Sequence, residues 1–198
     1  TVKFLRSANI PVVELMDIQG DRLDMEVGFD NRQAAFDMVS TMLDKRQRRK
    51  ILYLGSKDDV RDEQRYRGYC DAMTRRDLVP LRVNPRSISS IHLGTQMMRD
   101  ALAAHPDLDG VFCTNDDIAM GALLLCRERD LAVPEQISIA GFHGLEIGRA
   151  RLQKIASVIT PRYEIGKTAS EILIARLAGK DAPDSVNLAY QIYYGDTL

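Results

Sequence analysis

The stretch VFCTNDDIAMGALLLC, residues 111–126, is apolar at both ends and polar at its middle, where Thr114, Asn115, Asp116 and Asp117 stand together. The first part reads as a buried strand, since β-branched and aromatic residues suit a pleated surface. The last part is long and apolar enough to read as a helix. The polar joint admits two readings. A helix start leaves backbone N–H groups without partners, and Asn or Asp at the N-cap satisfies one of them. The other reading is that the joint faces a ligand. The two are compatible, with one side chain capping while the other points outward.

Outward from this joint the same alternation recurs. Apolar strand-like runs fall at 10–16, 24–29, 50–55, 81–84, 109–114, 137–142 and 155–160, and VNLAYQIYY closes the chain as one more. Helical patterns lie between them: from Asp30 or Asn31 to about Arg46, 63–77, about 90–104, a helix to about Asp130, and one opened by Pro161 and ending near Gly179. Strands that alternate with helices and are apolar throughout predict an α/β fold with parallel sheets covered on both faces.

The chain has 198 residues, 45% of them hydrophobic, and a formal net charge of −1. That length supports one or two domains. The charge argues against a nucleic-acid-binding domain, which needs a basic bias and a reading motif. The basic run KRQRRK (45–50) reads as a solvated turn. No run of about 18 apolar residues is present to span a membrane. Cys70, Cys113 and Cys126 make an odd count, expected as buried free thiols in a reducing compartment. His92, His105 and His143 are too far apart for metal-ligand spacing.

In a doubly wound sheet, ligands bind beyond the carboxyl ends of the strands. The residues just past those ends are Ser56, Lys57, Asp58, Asp59 and Arg61, with Arg65 one turn further; Ser89 and Ser90; Asn115 and Asp116; His143; and Pro161 with Arg162. Taken singly, each has an ordinary explanation: caps, solvated helix residues, a structural histidine, and loop solvation for Asp58 and Asp59. Their convergence on one rim argues for a site. Enzyme signatures are lacking: there is no GxGxxG or GxxxxGK[ST] phosphate loop and no GxSxG elbow. An Asp58–Asp59 pair after a strand would suit a Mg²⁺-holding receiver domain, but the later strand ends supply neither the acceptor Asp nor the Lys. An enzyme is disfavoured, and neither a cofactor nor a metal is expected.

The segments IPVVELMD (10–17), VGFDN (27–31), YLG (53–55), RYRGY (65–69), LDGVFCTNDDIAMGA (108–122), VPEQISIAGFHG (133–144) and ASVITPR (156–162), in this order and spacing, resemble the LacI/GalR family of bacterial transcription regulators, and within it the gluconate-utilisation repressors. The resemblance covers nearly the whole chain. It implies the periplasmic-binding-protein type I architecture, two doubly wound parallel-sheet subdomains. The N-terminal part of the first is expected to be absent, with residues 1–29 and 161–181 as its remainder and 30–160 with 182–198 as the second subdomain.

By the same resemblance, Arg65 is the effector-clamping arginine, cleft-facing and partly solvated. Asn115 contacts the effector, His143 replaces an aspartate found in many members, and Met16, Asp17, Ser89 and Arg162 complete the effector site. Met120 and Gly121 mark a helix near the contact of an expected homodimer. A guanidinium pairs bidentately with a carboxylate, and histidine at 143 removes an aspartate that would repel one. The expected effector is therefore gluconate or a related sugar acid. It would control operator DNA binding through a helix-turn-helix head that this chain lacks, in the cytoplasm. An exported sugar-binding protein of the same fold is the first rival and an enzyme on a doubly wound sheet the second.

Overall fold

The computed structural model describes every residue except 1, 9, 19–21, 58, 86 and 150–152. It divides into two compact units, Thr1–Asn31 with Thr160–Tyr190, and Arg32–Ile159 with Gln191–Leu198.

The smaller unit carries α1 (Val2–Ser7), β1 (Val13–Leu15), β2 (Met25–Gly28), α7 (Arg162–Leu177) and β8 (Ser185–Asn187). Its parallel sheet has the order β1-β2-β8. Residues 182–190, expected in the second subdomain, belong here. β8 registers Val186 against Val27, and Leu188 N donates to Gly28 O at 2.8 Å. The single closing strand predicted for VNLAYQIYY is thus two short strands in two sheets.

The larger unit carries β3 (Ile51–Leu54), α3 (Val60–Thr74), β4 (Leu81–Val83), α4 (Ile91–Ala104), β5 (Gly110–Cys113), α5 (Asp116–Glu128), β6 (Ser138–His143), α6 (Glu146–Arg149), β7 (Ala156–Ile159) and β9 (Gln191–Tyr193). It also holds nearly all of α2 (Asn31–Lys45). The sheet order is β4-β3-β5-β6-β7-β9, with every pair parallel except β7–β9, the antiparallel closing edge.

Side chains alternate across this sheet because strand periodicity is two. Leu52, Leu54, Val111, Cys113 and Ile139 form one apolar layer with the buried residues of α4 and α5. The intervening positions build an aromatic row on the other side. Tyr53 lies 5.6 Å, ring to ring, from Phe112, and Phe112 lies 6.4 Å from Phe142. Tyr69 of α3 joins the row at 5.6 Å from Tyr53.

Helix α5 is closed within the chain. Met120 is 1% exposed. A Cβ on Gly121 would stand 2.1 Å from Ile91 O, and one on Gly94 would stand 2.4 Å from Ile118 O. Two glycines therefore let the α4 and α5 backbones touch, and Thr95 Oγ1 donates to Gly121 O at 3.1 Å. Met120 and Gly121 do not offer the dimer surface expected of them, because α4 already covers that face.

The basic run at 45–50 is a stitched turn rather than a merely solvated one. Arg48 reaches Ser138 Oγ at 2.9 Å and the Pro134 carbonyl, Arg46 reaches Leu198 O at 2.9 Å, and the backbone N–H groups of Arg49 and Lys50 donate to Asp109. Cys113 and Cys126 are buried free thiols and Cys70 is half-buried. No helix among the described residues is long and apolar enough to cross a membrane.

Candidate functional site

The parallel strands β3, β4, β5 and β6 all end on one edge of the larger sheet, so the loops that follow them meet there. They border an open cavity of about 520 Å³ lined by Ser56, Lys57, Asp59, Arg61, Ile88, Ser89, Asn115 and His143. The loops after β3, β4 and β5 and the last residue of β6 each supply at least one of these residues. Asp58 lies outside the described residues.

The polar joint after β5 resolves residue by residue. Asn115 adopts extended backbone and caps α5, its Oδ1 accepting from Ile118 N at 3.0 Å. The same side chain lines the cavity, and its amino group makes no hydrogen bond among the described residues. One residue therefore fills both roles suggested for the joint. Asp116 points inward instead, 1% exposed, and accepts from Ser157 Oγ at 2.7 Å and from the backbone N–H of Leu145. Gly141 leaves room for it, since a Cβ there would meet Asp116 Oδ1 at 2.2 Å. Burial raises the Asp116 pKa to about 6, against the opposing pull of these two hydrogen bonds. Asp116 thereby ties the loop after β6 and strand β7 to the start of α5.

His143 ends β6 with φ 95°, a left-handed conformation that a side chain other than glycine adopts at a cost of about 1–3 kcal/mol. Gly144 follows at φ 62°, and its N–H donates to Ser157 Oγ at 3.0 Å. The Phe142 ring meets the His143 imidazole edge-on at 5.3 Å. The strained turn presents His143 at the cavity wall. Also lining the cavity, Ser56 Oγ lies 3.4 Å from Ser89 Oγ.

Arg65 departs from the partly solvated expectation, being 2% exposed. Its Nη1 donates to Thr114 O at 2.8 Å, and its guanidinium carbon sits 4.2 Å from the centre of the Phe142 ring. Burial lowers its pKa, while Tyr53, Asp59 and Asp62 pull it back up. Arg65 thus underlies the cavity, joining the residues that precede Asn115 and His143, rather than forming its wall.

The loop before α3 is held by charges. Asp59, read from the sequence as solvation, is the α3 N-cap and accepts from Arg61 N at 3.0 Å. Its carboxylate also accepts from Arg61 Nε at 3.1 Å and Nη2 at 3.4 Å. Burial works to raise the Asp59 pKa, but the hydrogen bonds and charge of Arg61 prevail and it ends lowered. Behind them, buried Asp62 accepts from Ser56 N at 2.9 Å and Tyr53 OH at 2.7 Å and pairs with Arg82 at 2.6 Å.

Of the residues expected at the site, Asn115, His143 and Ser89 line the cavity and Arg65 supports it. Lys57 and Arg61 were placed on the rim from sequence without being singled out, and Ile88 was not noticed at all. The alternation of strand and loop was the available signal for each. Met16, Asp17 and Arg162 belong to the smaller unit. There Met16 has φ 77°, and Asn31 Nδ2 donates to Met16 O at 2.9 Å and to Asp17 Oδ1 at 3.1 Å. Arg162 is exposed and begins α7.

Residues 39–198 match the model of the periplasmic binding protein-like domain. The chain is 75% identical over 199 residues to the HTH-type transcriptional regulator IdnR of Escherichia coli (strain K12), covering all of this chain and 60% of that protein. Among solved structures, the transcription regulator GntR from Chromobacterium violaceum superposes with a TM-score of 0.93 at 32% identity, over 98% of this chain and 72% of that one. A LacI family transcriptional regulator from Silicibacter pomeroyi gives 0.87 at 30% identity, over 100% and 73%. These relatives are named as regulators, not enzymes, and the chain spans 60% of the length of the curated regulator. With a domain model matched over most of its residues and regulator structures matched over nearly all of them, the chain belongs to the LacI family of transcriptional regulators, as its periplasmic-binding-protein-like domain.

Proposed function

We propose that this domain senses a sugar acid of the gluconate class and thereby controls operator binding by a cytoplasmic repressor. The observation that carries the reading is the make-up of the cavity wall. Among the described residues it holds two cations, Lys57 and Arg61, and the carboxylate of Asp59, beside the hydrogen-bonding groups of Ser56, Ser89, Asn115 and His143. Hydroxyls and amides suit a polyol chain, and a guanidinium or ammonium suits a carboxylate. The resemblance to gluconate-utilisation repressors points the same way, and the HTH-type regulators to which the chain is similar support an operator as the output.

The test is calorimetry on the full-length protein with gluconate, gluconate 6-phosphate and glucose. Gluconate or its phosphate is expected to bind in the micromolar-to-millimolar range, about −8 to −4 kcal/mol, and glucose much more weakly. Glucose binding as tightly as gluconate contradicts the sugar-acid reading.

A further inference from the structure

Asn115 and His143 reach the cavity from different strands, and buried groups beneath them join the two. Asp116, the first residue of α5, does not line the cavity and is 1% exposed. Its Oδ1 accepts from Ser157 Oγ at 2.7 Å, and its Oδ2 accepts from the backbone N–H of Leu145. Ser157, on β7 and 2% exposed, in turn accepts from Gly144 N at 3.0 Å. The N–H groups of the two residues that follow His143 are thereby fixed, one through the serine and one by the carboxylate itself. Among the described residues no lysine or arginine pairs with Asp116, so a hydroxyl and an amide hold this buried acid.

What they hold is a strained turn. His143 and Gly144 have φ 95° and 62°. Two successive left-handed residues, the first with a side chain, persist only where their surroundings over-determine them. Gly144 lies close against β7, where a Cβ would stand 2.3 Å from Ile159 Cδ1, and Gly141 leaves the space that the Asp116 carboxylate fills. A binding group works to full effect only when supporting hydrogen bonds lock its backbone and rotamer.

We infer that Asp116 and Ser157 are a positioning pair: they keep the turn after β6 in its left-handed form, fix the His143 imidazole relative to Asn115 at the cavity wall, and so set how tightly a ligand is held. Neither residue lines the cavity, and both act through His143. The inference rests on the sugar-acid reading only for the choice of titrant.

The experiment is a mutant cycle on the full-length protein with Ser157→Ala, His143→Gln and the two combined. It reads gluconate affinity by calorimetry, a thermal melt of each variant, and the histidine Cε1–H signals of the ligand-free protein by NMR. His143→Gln assigns the His143 signal by its loss. Ser157→Ala should displace that signal, leave those of His92 and His105 in place, and weaken gluconate binding by about tenfold, the scale of one lost hydrogen-bonded support. In the His143→Gln background the same change should weaken binding much less, because residues that act through one another are not additive. Asp116→Ala should repeat the pattern, and if its melt shows that it does not fold, Ser157→Ala carries the test. A His143 signal that stays put in Ser157→Ala overturns the positioning role, whether or not gluconate binds. A Ser157→Ala loss of affinity equal in both backgrounds also overturns it, since the pair would then support the fold at large. A wild type that binds no gluconate, with the His143 signal displaced in Ser157→Ala, removes the sugar-acid reading and leaves the positioning pair standing.

Discussion

At the scale of single residues, the polar side chains behind the cavity pack and bond within the chain. Arg65 fills the space between Thr114 and Phe142, and removing it leaves a buried carbonyl without its donor and a void beside an aromatic ring. Arg65→Ala should therefore destabilise the fold, by about 3 kcal/mol, visible as a shifted denaturation midpoint. Arg65→Lys should recover little, because an ammonium cannot stack as a plane. A wild-type melt for the alanine variant would return Arg65 to the solvated role first expected of it. The position was readable in part: Asp62, Arg65, Tyr69 and Ala72 share the buried stripe of α3, at spacings that put them on one helix face. What lies over a stripe is decided by tertiary packing, and a polar residue within one gives no sign of its depth.

Asp116 carries a pH dependence of its own. An unfolded aspartate titrates near 3.9, whereas the buried one titrates at about 6. Between these values the folded chain holds a proton that the unfolded chain has lost. The contribution of Asp116 to stability therefore falls as pH rises from about 4 to about 6, by on the order of 3 kcal/mol, and is flat above. Asp116→Asn should gain on the wild type across that window. Denaturation at pH 4, 5, 6 and 7 for both proteins checks it; a constant difference between them would show that Asp116 titrates normally.

At the scale of elements, the α4–α5 crossing depends on what is missing from its contact. Gly94 and Gly121 each meet opposing backbone where a Cβ would stand. Gly121→Ala should cost roughly 1–3 kcal/mol, read as a lower melting temperature. The same substitution in a helix exposed to solvent would raise stability, so an increase here would contradict the close crossing. The bodies of the strands and helices were legible from periodicity because apolar burial imposes it. The start of α3 was not: it begins at Val60 with Asp59 as its cap, three residues before the predicted start. The acidic loop around it looks the same whether it solvates or caps. The break between β8 and β9 was also hidden, since residues 188–190 are Leu, Ala and Tyr, with no glycine or proline to mark a change of sheet.

At the scale of the whole molecule, the parallel order of the larger sheet explains why loops far apart in sequence build one cavity: β4, β3, β5 and β6 are neighbours and end on the same edge. That edge was predictable from the alternation of strands and helices, and Asn115, His143 and Ser89 were found from it. The antiparallel edge strand and the allocation of residues 182–190 were not, because they depend on pairings between distant segments.

The central claim, that this cavity senses a sugar acid on behalf of a DNA-binding regulator, is tested most directly by operator affinity of the full-length protein measured across a titration of gluconate, with glucose alongside. The account predicts that gluconate changes operator affinity by about tenfold or more, a coupling of roughly 1.4 kcal/mol, and that glucose does not. Operator binding that stays constant at saturating gluconate would contradict it.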